Sequence, residues 1–326
     1  MVFKIGGNQM KIGVLTSGGD APGMNACLRA LVKTADIYGY EVYGIFDGFR
    51  GLVENRFKKL ERTDFPMTVA AGGTILGTAR LPEFKYEQVR KIAATNLKKN
   101  DIDVLVCIGG DGTYLGAQGL SSMGVRVIAI PATIDNDIPS SDHSIGFSTA
   151  LRTTVEVIDR LRDTSSSHQW CSIVEVTGNN CEDLALYAGL SCGVEYVITA
   201  KTGFNKEELL QKLKNDRLSG KKTAIVVISE NLVDTQVLAN DIEAHAGYEC
   251  KATVLGYATR GGVPTPEDRI RASRLGSYAI EVIQNNQFGV ALGLVKNEMV
   301  TTPIEEALKT TKKPNDELNC LLQKIK

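Results

Sequence analysis

Short apolar runs rich in Val and Ile alternate with stretches of helical periodicity along almost the whole chain. In the first helical stretch, apolar residues recur at steps of three and four positions, which predicts one buried face from Met24 to Ala35. The apolar runs are continuous and not alternating, as is typical of strands that are covered on both faces. They predict strands at 12–17, 41–46, 104–108, 125–130, 171–176, 196–200, 224–229, 253–255 and 290–295.

This alternation predicts an α/β protein with mostly parallel sheets flanked by helices. The length of 326 residues is enough for about two domains. The final segment, from about Lys309, is rich in lysine but keeps Leu318, Leu321 and Leu322. We therefore expect the chain to end in a helix that packs on the protein.

Composition excludes several classes of partner. The 37 Lys and Arg residues balance 38 Asp and Glu residues, so the net charge of −1 gives no overall field to attract nucleic acid or an anionic membrane. No apolar run approaches the roughly eighteen residues of a membrane span, and the first residues lack the apolar core of a signal peptide. Seven cysteines without a CxxC pair and three scattered histidines predict a cytoplasmic protein with reduced thiols and no His/Cys metal cage.

Two glycine-rich loops follow predicted strands. The first, at 18–23, has the sequence GGDAPG and precedes a helix; such a turn lets the backbone approach a phosphate, although a tight turn alone can also require glycine. The second, at 109–113, has the sequence GGDGT and places Asp111 inside a loop of the phosphate-binding kind. Because this carboxylate would repel a bare phosphate, a bridging Mg²⁺ is favoured over an Asp that only caps the next helix.

A third loop carries the candidate catalytic acids. The strand at 125–130 is followed by PATIDND, in which Thr133, Asp135 and Asp137 would point to one side of an extended chain. One of two neighbouring acids can accept the proton of an attacking hydroxyl while the other helps to hold metal-bound phosphates. An Asx-rich turn is the alternative explanation of the same residues.

Two arginines complete the candidate site. Arg80 ends the glycine-rich segment GGTILGTAR at 72–80, and an arginine presented in this way suits a phosphoryl group in transfer. Arg260, at the start of the segment RGG, offers a second position of this kind. A surface ion pair is the alternative role for each of them.

Together these residues resemble the bacterial ATP-dependent 6-phosphofructokinases over nearly the whole chain. The shared segments are TSGGDAPGMNA at 16–26, GGTILGTAR at 72–80, IGGDGTYLGA at 108–117, TIDND at 133–137, IGFSTAL at 145–151, RLRDTSSSHQ at 160–169 and RGG at 260–262. The resemblance implies a homotetramer of two-domain subunits. It places an ATP-binding domain at 1–146 plus 259–309 and a sugar-phosphate-binding domain at 147–258 plus 310–326.

The family transfers the γ-phosphoryl group of MgATP to the 1-hydroxyl of fructose 6-phosphate, which gives fructose 1,6-bisphosphate in glycolysis. The resemblance implies that Asp135 is the general base, that Asp137 is its companion and that Thr133 contacts the sugar phosphate. Arg80 would stabilise the moving phosphoryl group, and Asp111 would bind Mg²⁺ through water. The nucleotide would contact Gly19, Arg80, Leu81, Phe84, Lys85, Gly110, Asp111, Gly112 and Thr113, and the sugar would contact Glu230 and Arg260.

The identity of the phosphoryl donor follows from two positions. Relatives that use pyrophosphate carry a second Asp after GGD and a Lys just before TIDND, where this chain has Gly112 and Ala132. Gly112 leaves room for the α-phosphate of ATP, and an Asp would not. ATP is therefore favoured as the donor.

The acceptor pocket departs from the family pattern. The family has four features in this pocket, namely an Arg after SHQ, a Met-Gly-Arg after the next strand, an Arg before the ATVLG strand and a His after that strand. The first, third and fourth of these bind the 6-phosphate. A Lys does not replace a bidentate Arg, so we expect fructose 6-phosphate to bind poorly. These positions hold Trp170, then Thr177, Gly178 and Asn179, then Lys251 and Tyr257.

The effector pocket of the family is partly retained. Met67 and Ser219 stand where polar or charged groups are expected. The matching residues imply a site for ADP or phosphoenolpyruvate, and they are Arg29, Lys33, Arg62, Arg162, Glu195 and Lys221.

Three other functions compete with this one. The first is a kinase of the same family acting on a different sugar or polyol, and the second is a weakly active nucleotide-binding paralogue that regulates an active partner. An enzyme of the NAD kinase type shares the GGDG loop but would not bring the TIDND and SSSHQ segments. Intact Asp111, Asp135, Asp137 and Arg80 argue against an inactive protein.

Overall fold

The computed structural model describes residues 10–65, 68–179 and 181–325. Its strands are β1 (Lys11–Ser17), β2 (Glu41–Ile45), β3 (Phe57–Leu60), β4 (Val104–Gly109), β5 (Val127–Thr133), β6 (Ile145–Gly146), β7 (Cys171–Val176), β8 (Tyr196–Ile198), β9 (Ala224–Ser229), β10 (Cys250–Val254), β11 (Val290–Val295) and β12 (Glu298–Pro303). Its helices are α1 (Met24–Ile37), α2 (Gly48–Val53), α3 (Glu87–Lys99), α4 (Asp111–Ser121), α5 (Phe147–His168), α6 (Asp183–Cys192), α7 (Lys206–Leu218), α8 (Thr235–Ala246), α9 (Pro266–Gln284), α10 (Ile304–Lys309) and α11 (Asp316–Ile325).

The chain divides into two units. The first contains Met1–Thr149 and Arg260–Lys312, and the second contains Ala150–Thr259 and Lys313–Lys326. The predicted domain boundaries lie close to these positions. The ligand that each domain binds stays a prediction.

Each unit is built on its own sheet. In the first unit the strand order is β12-β11-β5-β4-β1-β2-β3, and β6 pairs with β5. The pairings among β2, β1, β4, β5 and β11 are parallel, and the edge strands β3 and β12 are antiparallel. The second sheet has the order β10-β7-β9-β8 and is parallel throughout. The prediction of an α/β fold with mostly parallel sheets is confirmed.

The continuous apolar runs form the centres of these sheets. Every residue of β4 and β9 is buried, because helices cover both faces of a parallel sheet. One core cluster in the first unit includes Leu15, Phe49, Leu105, Cys107 and Tyr114. A core cluster in the second unit includes Ile173, Leu213, Val226, Leu238 and Tyr248.

Several predicted strand boundaries were wrong. β5 continues through Pro131 to Thr133, because Ala132 and Thr133 pair with β6 at the point where sequence reasoning ended the strand. β10 begins at Cys250, three residues before its predicted start, because its pairing with β7 begins there. Sequence reasoning missed β3 and β12 because they are antiparallel edge strands with polar, partly exposed residues and no continuous apolar run.

The predicted C-terminal helix is confirmed as α11. Its Leu322 is buried, and the Asn319 amide donates a hydrogen bond of 2.8 Å to Glu182 Oε1 in the same unit. Over residues 10–65, 68–179 and 181–325, no helix has both the length and the apolar content needed to cross a membrane.

A buried ion pair of α9 is hydrogen-bonded to the end of β6 and the first turn of α5. Asp268 is fully buried and pairs with Arg271 at 2.6 Å. Its carboxylate also accepts hydrogen bonds from the Gly146 N–H, the Thr149 N–H and the Thr149 hydroxyl, at 2.6–3.0 Å. Burial raises the pKa of Asp268, although the Thr149 hydrogen bond and the Arg271 charge oppose this shift. The carboxylate therefore has a complete set of donors that balances the cost of its burial.

We expect Asp268→Ala to lower the free energy of unfolding by about 3–5 kcal/mol, because it leaves the Arg271 charge buried without its carboxylate. Urea denaturation measures the change. The matched control is Asp36→Ala, which removes an exposed ion pair to Arg62 and should cost under about 1 kcal/mol. Equal losses in the two variants would contradict the importance of the buried pair.

Candidate functional site

Three loops of the first unit leave the sheet at the same edge. In the pairing of β4 with its two neighbours, Gly109 lies opposite both Ser17 of β1 and Pro131 of β5. The carboxyl ends of these three parallel strands therefore meet, which is where open α/β sheets bind ligands. The loops that follow them contain Gly19, Asp111 and Asp135.

The first glycine loop is covered by an arginine. Gly18 has a φ of 83°, a left-handed conformation that favours glycine. A Cβ placed on Gly19 would lie 3.0–3.3 Å from the guanidinium atoms of Arg260. Arg260 is thus held against the exposed backbone of the GGD turn within the first unit.

The second glycine loop contains an unsatisfied buried hydroxyl. α4 begins at Asp111, which is exposed, and a Cβ on Gly112 would meet no atom within 4 Å. Thr113 is only 1% exposed, and its Oγ1 has no hydrogen-bond partner among the residues that the structure describes. A buried hydroxyl without a partner is costly, so it marks a position where a ligand oxygen can bind.

Burial alternates along the third loop. Thr133, Asp135 and Asp137 are half-buried, whereas Asn136 and the neighbouring isoleucines are buried. Each of these three residues is therefore more accessible than the residues beside it, but only Thr133 lies in a strand, so the extended chain assumed from the sequence ends there. The Asp135 N–H donates to Thr133 Oγ1 at 3.2 Å.

Hydrogen bonds attach the segment that carries Arg80 to β1, α1 and α2. The Thr16 hydroxyl donates to the Gly77 carbonyl at 2.8 Å, and the Thr78 hydroxyl donates to the Gly18 carbonyl at 2.7 Å. Arg50 donates to the Arg80 carbonyl at 2.8 Å. The Arg80 side chain is exposed and forms no ion pair within the described part of the chain.

Asn25 organises the start of the same segment. It is 1% exposed, its amide donates to the carbonyls of Ala71 and Gly72, and its oxygen accepts the Ile75 N–H at 2.8 Å. Sequence reasoning did not select Asn25 as a site residue. Its only signal was its position inside the segment TSGGDAPGMNA.

A cleft of about 530 Å³ opens beside these loops. Phe49 and Phe84 stack in its wall, with their ring centroids 4.2 Å apart. Arg90, which sequence reasoning missed, donates to the carbonyls of Phe84 and Lys85 at 3.1 and 2.6 Å and so fixes that wall. The lining residues are Ser17, Gly18, Phe49, Ala79, Arg80, Leu81, Pro82, Phe84, Lys85, Arg90, Gly112, Leu115 and Gly116.

The arrangement suits a polyanion joined to a flat apolar group. Arg80, Lys85 and Arg90 supply positive charge, and the glycine turns expose backbone to an anion. No group of three or more His, Cys, Asp or Glu side chains that could hold a metal ion occurs in residues 10–65, 68–179 and 181–325. The exposed carboxylate of Asp111 is available at this edge as a ligand for a metal ion.

In the second unit, the predicted sugar contacts meet at the carboxyl ends of β7 and β9. Glu230 Oε1 accepts the N–H groups of Gly178 and Asn179 at 3.2 and 3.0 Å. The Thr177 hydroxyl is buried and has no hydrogen-bond partner among the described residues. A ligand hydroxyl could satisfy it.

Three positions of the second unit correspond to those at which the family binds the 6-phosphate. Two of them contact neighbouring side chains, and the third is exposed. The Trp170 indole N–H donates to Ser165 Oγ at 2.9 Å, and its ring stacks on His168 with centroids 4.5 Å apart. Lys251 pairs with Glu249 at 2.8 Å. Tyr257 is 75% exposed.

The predicted effector residues are distributed between the two units. Arg29 and Lys33 are half-buried on α1. Several others are engaged in local polar contacts, and these contacts are Arg62 with Asp36, Arg162 with Asp159 and the Cys192 carbonyl, and Lys221 with Glu195 and Asp216. Met67 lies outside the described residues.

A sequence model of the family described as phosphofructokinase matches residues 11–283. The ATP-dependent 6-phosphofructokinases of Aliivibrio salmonicida and Photobacterium profundum are each 52% identical to the chain over 304 residues, which is 93% of this chain and 95% of each relative. That of Vibrio campbellii is 50% identical over the same lengths.

Solved structures give the same fold. The phosphofructokinase of Saccharomyces cerevisiae superposes with a TM-score of 0.84 at 30% identity, and the match covers 97% of this chain and 47% of the yeast chain, so this chain spans about half of that relative. A pyrophosphate-dependent phosphofructokinase from Marinobacter aquaeolei has a TM-score of 0.84 at 20% identity, which shows a shared fold alone.

These relatives confirm the prediction of a kinase that resembles ATP-dependent 6-phosphofructokinase. About half of all aligned positions are identical over nearly the full length of the relatives. On that basis the chain belongs to the phosphofructokinase family.

Proposed function

We propose that the chain transfers the γ-phosphoryl group of MgATP to the 1-hydroxyl of fructose 6-phosphate. The observation that carries this proposal is the shared sheet edge of the three loops after β1, β4 and β5. That edge carries two glycine turns and a pair of carboxylates, beside a cleft with cationic and aromatic walls.

The triphosphate of ATP suits the two glycine turns. Gly18, Gly19 and Gly110 let the backbone approach its oxygens, and the Thr113 hydroxyl would donate to one of them. The adenosine would lie in the cleft beside Leu81, Phe84 and Lys85, where the stacked phenylalanines offer a flat apolar wall.

Mg²⁺ fits the donor set at this edge. Magnesium keeps most of its waters and takes one or two carboxylates together with phosphate oxygens, so the single exposed Asp111 at the start of α4 is sufficient. When bound, the ion neutralises charge on the phosphates.

The chain's own residues perform positioning, proton removal and charge stabilisation. Asp135 accepts the proton of the attacking hydroxyl, and Asp137, two positions further along the same loop, supports it. Thr133 holds the sugar phosphate near them. Arg80 stabilises the phosphoryl group as it moves, because its guanidinium is presented in the cleft.

Within the second unit, the sugar would be held by Glu230 and the Thr177 hydroxyl, which has no hydrogen-bond partner among the described residues. Trp170, Lys251 and Tyr257 favour weak binding of the remote phosphate, because none of them offers the forked donors of an arginine. The same observation supports a second candidate function, in which the acceptor is a different sugar or a polyol that lacks this phosphate. The flat face of Trp170 suits a neutral sugar ring.

Other properties are proposed from the family resemblance. We expect a homotetramer in the cytoplasm, and we expect ADP or phosphoenolpyruvate to bind through Arg29, Lys33, Arg62, Arg162, Glu195 and Lys221. The intermediate exposure of Arg29 and Lys33 leaves part of each side chain accessible to an anion. Neither nucleic acid nor a membrane is an expected partner.

We expect Asp135→Asn to lower kcat by about 10²–10⁴-fold while binding of ATP is retained, because a general base acts on the chemical step. Steady-state kinetics with a coupled assay measures the effect. Asp101→Asn is the matched control, since it changes an exposed carboxylate of the same unit. Full kcat in the Asp135 variant would remove this residue from the base role.

We expect turnover with MgATP to exceed turnover with pyrophosphate, and Gly112→Asp to weaken ATP binding by placing a carboxylate against the phosphates. Gly112→Ala separates charge from size, because a Cβ at this position meets no atom within 4 Å and should leave ATP binding intact. A higher rate with pyrophosphate than with ATP would overturn the assignment of the donor.

We expect a KM for fructose 6-phosphate roughly tenfold to a few hundredfold above that of a relative that keeps both arginines, since two charge-assisted hydrogen bonds are lost. The double variant Trp170→Arg and Lys251→Arg should lower this KM without changing the KM for ATP. The control, Val237→Arg with Lys214→Arg, makes the same change of net charge and the same Lys-to-Arg exchange at exposed sites elsewhere in the second unit. A KM already below about 0.1 mM in the unaltered protein would contradict the prediction.

A further inference from the structure

Asn136 has an unusual backbone conformation between the two candidate catalytic acids. Its φ is 55°, in the left-handed region that side chains other than glycine adopt rarely and that asparagine tolerates best. It is fully buried, whereas Asp135 and Asp137 on either side of it are half-buried. The left-handed residue therefore sets the path of the chain from one acid to the other.

The Asn136 side chain is bound on both sides of its amide. Its oxygen accepts the Ser144 N–H at 2.8 Å, and its nitrogen donates to the Asp142 carbonyl at 3.1 Å. The Ser144 hydroxyl has one proton, which goes to the Thr133 carbonyl at 2.7 Å, because its contact with Asn136 Oδ1 is longer at 3.3 Å. These hydrogen bonds join the segments 133–137 and 142–144 to each other.

The second of these segments is itself anchored. Arg271 donates to the Ser144 carbonyl at 3.3 Å and pairs with the buried Asp268, which also holds the Gly146 N–H. A continuous set of hydrogen bonds therefore runs from α9 through Ser144 to Asn136. The turn that carries the two acids is fixed to a buried ion pair and not only to its own strand.

We propose that Asn136 is a positioning residue for phosphoryl transfer, which holds the left-handed turn that aims the carboxylates of Asp135 and Asp137 at the acceptor hydroxyl. It acts through these acids and does not touch the substrate itself. This proposal rests on the proposed function, in which Asp135 removes the proton of the acceptor.

The backbone and side-chain contributions can be separated by two substitutions. Asn136→Ala loses both amide hydrogen bonds and strains the positive φ, whereas Asn136→Gly loses the hydrogen bonds but accepts the conformation without strain. We expect kcat to fall by about 10–100-fold in the Ala variant, since small misplacements of a reacting group have effects of this size. The Gly variant should lose less, and the KM for ATP should stay unchanged in both.

The matched control is Asn286→Ala. Asn286 also belongs to the first unit and also has a left-handed φ, of 53°, but it is exposed at the end of α9. Alanine there introduces the same backbone strain away from the site. We expect thermal stability to fall in both alanine variants and kcat to fall only in Asn136→Ala.

A double-mutant cycle with Asp135→Asn tests whether Asn136 acts through the acid. If it does, the two losses of kcat will not multiply, and Asn136→Ala will cost little once Asp135 is already Asn. Multiplying losses in a folded, ATP-binding protein would overturn the proposal, and so would an Asn136→Ala variant with full kcat. If Asp135→Asn alone keeps full kcat, the proposed function fails, and this outcome is distinct because it does not depend on Asn136.

Discussion

Ser17 and Pro131 lie opposite the same residue, Gly109, in the two pairings of the central strand β4. β1 and β4 end at this level, and β5 continues two residues further to Thr133, so the loops that follow the three strands leave the sheet at one edge. Hydrogen bonding between buried backbones holds the register, and the fully buried β4 allows no slip that would turn its apolar side chains outward. The two glycine turns and the acid pair depend on this alignment for their proximity.

Hydrogen bonds from buried side chains anchor the loops at this edge of the sheet. Asn25 and Thr16 bind carbonyls of the segment that carries Arg80, and the buried pair of Asp268 and Arg271 binds the segment that supports Asn136. The Thr113 hydroxyl is one of several buried side-chain groups without a partner among the described residues, and it lies at the start of α4 next to the exposed Asp111. A ligand oxygen bound at this loop would satisfy it.

The sequence predicted the central strands and placed a polar loop after each of them because these are local properties. Continuous Val and Ile runs give buried parallel strands, and the glycines and acids follow them directly. The edge strands β3 and β12 were missed because their stability comes from antiparallel partners and not from an apolar pattern. The extension of β5 through Pro131 was missed for a similar reason, since β6 supplies the pairing.

Supporting residues were hardest to predict from the sequence. Arg90 lies in an ordinary amphipathic helix, and only the fold shows that it holds the carbonyls of the cleft wall. Asn136 is a plausible turn residue in any Asp-Asn-Asp sequence, and its role depends on Ser144, eight positions away. At the acceptor side, the altered positions were visible in the sequence, but the ring stacking of Trp170 on His168 was not.

The most direct test of the account is a crystal structure of the full chain with Mg²⁺, a non-hydrolysable ATP analogue and the acceptor sugar. The account predicts the triphosphate across Gly18, Gly19 and the GGDGT turn, with the Thr113 hydroxyl donating to a phosphate oxygen and the acceptor hydroxyl within hydrogen-bond distance of Asp135. A nucleotide bound away from these turns, or an acceptor hydroxyl out of reach of Asp135, would contradict it.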